Sequence, residues 1–98
     1  MKQQEYMFTI GFSGNTAIVD GAAMKKYGKL GFDELVGQGL YKPALGAAFF
    51  SGDTEALNRI VVAYNSAAGT NFEGPDQIMR VFGLEPAPEN LEKVKILS

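Results

Sequence analysis

The chain contains no cysteine and no histidine. Without cysteine there is neither a disulfide framework nor a thiolate metal site, so stability rests on an apolar core alone. Without histidine, the common nucleophile–base pairings and the imidazole metal sites disappear as well. Carboxylate, lysine and tyrosine are what remain for acid–base work. Long apolar runs are also missing. The longest candidate spans residues 43–50 and contains Gly46, well short of the about 18 residues that read as a membrane span. Residues Met1 to Glu5 lack the apolar stretch of a signal peptide, so a cytoplasmic location is the expectation. No enzyme activity, cofactor or metal is expected on these grounds.

What is present suits one packed core. The 98 residues are 46% hydrophobic and include seven Phe and four Tyr, enough for one α+β domain over 1–98 and too few for a second core. Nine basic and eleven acidic residues give a net charge of −2, which argues against a general polyanion binder. The charges are unevenly spread. Between residues 25 and 42, Lys25, Lys26, Lys29 and Lys42 face only Asp33 and Glu34; between 53 and 92, seven carboxylates face Arg59 and Arg80.

Periodicity outlines the elements. Tyr6, Phe8, Ile10 and Phe12 alternate with Met7, Thr9 and Gly11, as in a half-buried strand. A Gly14-Asn15 turn would fold this strand onto Ala17-Ile18-Val19, pairing Phe12 with Ala17 and Ile10 with Val19. Asp20 can cap a helix over 22–27 that Gly28 stops. Further helices are predicted over 32–38 and from Pro43 to Ser51. Another runs from Thr54 to Ala68, capped by Asp53 and ended by Gly69. Its Leu57, Ile60, Val61, Tyr64 and Ala68 form an apolar stripe. A fifth helix, starting at Pro75, would bury Ile78, Val81 and Phe82. Residues 85–92 read as a Pro-rich linker, followed by Lys93 to Leu97 as a short strand or, alternatively, the end of a frayed helix from Pro88. The fold class is therefore α+β: an N-terminal antiparallel hairpin, joined by the C-terminal strand into a small antiparallel sheet, packed against four to five short helices.

Leu45, Ala48, Gly52-Asp53, Glu55-Ala56-Leu57 and Ile60-Val61 resemble the helix–turn–helix portion of an ankyrin repeat. The likeness is confined to residues 45–61, with no second copy at the period of about 33 residues that such arrays need. It implies an antiparallel helix pair and no family. Gly11-Phe12-Ser13-Gly14 matches a phosphate-clamp spacing only, between strands rather than helices. The Gly and Lys residues of 21–29 lack the spacing and hydroxyl of a P-loop. Asp33 and Glu34 are neighbours, about 100° apart on a helix, and serve its positive end.

Two groups of residues stand out as candidate surfaces. Phe49 and Phe50 are adjacent, so one helix cannot bury both against a single neighbour. With Phe72 they are the candidate partner-binding residues. Lys25, Lys26, Tyr27, Lys29, Tyr41 and Lys42 interleave cations with aromatics and are the candidate polyanion contact. Four lysines without arginine would bind nucleic acid weakly and with strong salt dependence. The leading expectation is thus a non-enzymatic interaction or structural module that binds another protein or a second copy of itself. A nucleic-acid accessory role is the alternative. A small enzyme would need a cleft converging on groups such as Asp20, Asp33 and Tyr27.

Overall fold

In the computed structural model, which describes residues 1–98, the chain opens with a short helix, α1 (Gln3–Met7), rather than a strand. Tyr6, Met7 and Phe8 are consecutive, and all three are buried. A strand would turn every second one of them outward; a helix that ends at Phe8 lets all three face the core. Local bonds favour that corner: the Glu5 carboxylate accepts the Lys2 backbone N–H at 2.6 Å, and the Thr9 hydroxyl donates to the Glu5 carbonyl at 2.6 Å. Packing completes it, because a Cβ on Gly46 would come within 3.1 Å of Met7 Cα. Tyr6 therefore leaves the predicted strand.

Strands β1 (Thr9–Ser13) and β2 (Thr16–Asp20) form the antiparallel hairpin around Gly14-Asn15. Phe12 faces Ala17 as the alternation predicts, but Val19 pairs with Thr9, not with Ile10. Ile10 is the extra residue of a bulge between Thr9 and Gly11 and is 59% exposed. A glycine inside a strand commonly marks such a break. Ala17 and Val19 line the inner face and are fully buried.

After the hairpin, the Asp20 carboxylate accepts the Ala23 N–H at 3.1 Å and starts α2 (Gly21–Tyr27). Helix α3 (Phe32–Gly37) is capped by the Glu34 carboxylate, which accepts the Gly31 N–H at 3.2 Å. Helix α4 (Tyr41–Ser51) begins two residues before Pro43, which fits inside the first turn where no N–H is needed. It ends at Gly52, left-handed at φ +69°, and the Asp53 carboxylate then caps α5 (Thr54–Ala68) from the Ala56 N–H at 3.0 Å.

Leu57, Ile60 and Val61 are buried against Ala44, Leu45 and Ala48 of α4 in the main core, with Tyr64 packed at its margin. Ala68, the last position of the predicted stripe, is exposed. Helix α6 (Pro75–Val81) turns Ile78, Met79 and Phe82 inward. These lie within about 100° of one another on the helix, and Val81 falls outside that arc. Val81 is accordingly 61% exposed, contrary to expectation.

Strand β3 (Lys93–Leu97) joins the sheet in the order β1-β2-β3. It runs parallel to β2, from Thr16 opposite Lys93 to Asp20 opposite Leu97. The sheet is thus mixed rather than wholly antiparallel. The reason lies at the hairpin turn, where the Asn15 carbonyl accepts the N–H groups of Glu92 and Lys93 at 2.8 and 3.1 Å. The returning chain enters beside the start of β2 and can only run alongside it. The result is the expected α+β class, with helices and sheet sharing one core, and α1 as the helix that the alternation concealed.

Candidate docking surface

Helices α3 and α5 both pack on α4. Leu35 anchors α3 in the core, leaving Phe32 and Val36 at the core's margin. On α5 the inward stripe uses Leu57, Ile60 and Val61, which turns position 62 away from α4. Val62 is 69% exposed. Residues three and four apart share a helix face, so Asn58, Arg59 and Val62 form one row that looks across at α3.

Between the two helices lies an open groove of about 810 Å³, with Phe32 and Val36 on one wall and Val62 and Ala63 on the other. Arg59 spans it. One guanidinium nitrogen donates to the Asp33 carboxylate at 3.0 Å, and the guanidinium carbon lies 5.2 Å from the Phe32 ring centroid. Both partners of this ion pair are exposed, so it shapes the wall more than it stabilises the fold.

The predicted partner-binding phenylalanines lie elsewhere and do not form one patch. Phe49 and Phe50 flank Tyr6, with ring centroids at 6.2 and 5.7 Å. Phe50 remains 44% exposed, and Phe49 is half-buried. Phe72 belongs to a second aromatic group around Tyr64, 5.9 Å away, with Tyr41 and Phe82 edge-on to the same ring at 5.0 and 5.5 Å. Asn65 holds that loop in place. Its amide donates to the Phe72 carbonyl at 2.9 Å and accepts the Phe72 N–H at 3.0 Å.

The lysine–tyrosine group is also divided. Lys25, Lys26 and Tyr27 share the last turn of α2, with Lys29 just beyond. Lys26 reaches over the Tyr27 ring at 5.2 Å from its centroid. Tyr41 and Lys42 sit on the first turn of α4, where Lys42 lines a small cavity beside Thr9 and Ile10. Tyr27 and Tyr41 both pack against the core, Tyr41 also against Tyr64. Both rings are only partly buried there.

Elsewhere the polar groups serve structure. Asp20 caps α2, and Asp33 holds Arg59. Tyr6 donates its hydroxyl to the Glu85 carbonyl at 2.6 Å. Burial, with a lesser push from the Glu85 carboxylate, raises its pKa to about 12. No group of three or more carboxylates could hold a metal ion, and no helix is long and apolar enough to cross a membrane.

The sequence reading passed over Phe32, Val36, Arg59 and Val62. One local signal pointed to Val62: Ile60-Val61-Val62 are three consecutive β-branched aliphatic residues, and the stripe of α5 takes in only the first two. No family model, curated protein or solved structure matches the chain.

Proposed function

We propose that this chain is a non-enzymatic, cytoplasmic protein–protein interaction module, and that partners dock in the groove between α3 and α5. The observation that carries the proposal is Val62, exposed on the middle of the longest helix and facing Phe32 and Val36 across an open valley. Single apolar residues on a surface are ordinary, but apolar side chains converging from two walls are what an interaction groove is made of. The chemistry of the chain agrees with a binding role, since histidine and cysteine are absent.

Panning a displayed library of helical peptides on the wild-type chain tests the proposal. Covering one valine side chain contributes about 1.5–3 kcal/mol, so enriched binders are expected to lose at least about tenfold in affinity on Val62→Asn. At its exposed position this substitution leaves the core untouched. Binders that tolerate both Val62→Asn and Val36→Asn would place recognition elsewhere and remove the proposal.

A further inference from the structure

The groove is acidic on balance. Asp33 and Glu55 stand on its rim. A second depression shares Phe32, Asp33 and Arg59 with it and adds Glu34 and Asp53. No lysine lines either depression, and the one cation, Arg59, already binds Asp33 at 3.0 Å. The groove itself thus holds Asp33, paired with Arg59, and Glu55, which has no cation beside it, while the adjoining depression adds two more carboxylates. Two of those carboxylates are fixed in place by cap bonds to Gly31 and Ala56.

We infer that the occupant is a cationic amphipathic helix of another protein. Its apolar residues, at helical spacing, would rest on Phe32, Val36, Val62 and Ala63, with its lysines or arginines directed to Glu55 in the groove and to Glu34 in the adjoining depression. This rests on the docking reading above and adds the sign of the partner's charge. The walls are helix side chains with no free strand edge, so a helix laid in the valley between α3 and α5 fits where an added strand does not. A second copy of the chain offers no such helix. Its basic helix, α2, turns Ala23, Met24 and Tyr27 into its own core and has no apolar stripe to spare.

The test uses two synthetic peptides of about four helical turns with the same leucine stripe and one tryptophan within it. One carries lysine on its polar face, the other glutamate. The chain has no tryptophan, so peptide fluorescence reports burial against the full-length protein. The lysine peptide is expected to bind at least about tenfold tighter than the glutamate peptide at low salt, with the gap closing as salt rises. Val62→Asn is expected to weaken it. Glu34→Gln with Glu55→Gln, which keeps the cap acceptor at position 34, is expected to narrow the ratio by about threefold. Equal binding of the two peptides, both sensitive to Val62→Asn, would overturn the charge inference and leave the docking reading standing. Binding by neither peptide, or binding indifferent to Val62→Asn, would overturn both.

Discussion

Helices α4 and α5 and strands β2 and β3 each set two segments side by side, by opposite means. The helices are joined through Gly52 and Asp53, a left-handed residue followed by a cap, and their facing residues Leu45, Ala48, Leu57 and Ile60 are sealed from water. The strands meet only after the chain has passed through every helix from α2 to α6. Their junction rests on Asn15, whose side chain donates to Glu92 across 77 residues at 2.9 Å. No residue of β3 is fully buried: Val94 comes nearest, and Ile96 and Leu97 stay 50% and 41% exposed. Chain-local pairing has here built the buried layer, and chain-remote pairing has added a largely exposed edge strand, which is expected to open before the helices do. Few buried contacts and exposed backbone hydrogen bonds are what low local stability consists of.

Five substitutions would sharpen that contrast or break it. The largest effect is expected from Leu45→Ala, which leaves a cavity between α4 and α5 and costs about 3 kcal/mol by chemical denaturation. Ile96→Ala, on half-exposed β3, is expected to cost well under half of that. Comparable losses would dissolve the distinction. Gly21→Ala comes next, since a Cβ there would overlap the Leu97 carbonyl and crowd the Ile96 side chain. Overpacking of this kind costs about 1–3 kcal/mol, and hydrogen exchange is expected to show the loss of protection confined to β3 while α4 and α5 stay protected. Asp53→Ala removes the cap of α5, for a loss of about 1 kcal/mol seen in the global transition.

The smallest effect is expected at Tyr6, which ties α1 to the segment leading into β3. Tyr6→Phe forfeits its bond to the Glu85 carbonyl, about 0.5–1 kcal/mol. The pH dependence has a definite sign. Folding raises the Tyr6 pKa from 10.0 to about 12, so the neutral phenol is favoured in the folded state. The contribution is complete below pH 10 and is lost as pH rises through 12. Denaturation in alkali is expected to show this fall in wild type and its absence in Tyr6→Phe.

The same contrast explains what could be read from residues alone. Asp20, Asp53, Gly52 and Gly69 act on their nearest neighbours, so the ends of α5, the stop of α4 and the cap of α2 follow from local chemistry. Phe12 opposite Ala17 follows from the turn. Tyr6 to Phe12 reads as one strand and is not, because its alternation fits a helix, a corner and a bulge as well. The deciding contact is Met7 against Gly46, remote in sequence. The parallel direction of β3 likewise depends on Asn15 meeting Glu92. Of the groove, Val62 was visible as an apolar residue too many, whereas the pairing of Arg59 with Asp33 and Phe32 spans the α3–α5 gap and leaves no periodic trace.

The bulge at Ile10 has a bearing on how the protein behaves in crowded solution. It kinks one rim of the three-stranded ribbon, and the other rim presents Lys93 and Lys95, which would confront like charges if two such rims came together antiparallel. Each flank thereby carries a different feature that disfavours pairing with a further strand, one geometric and one electrostatic.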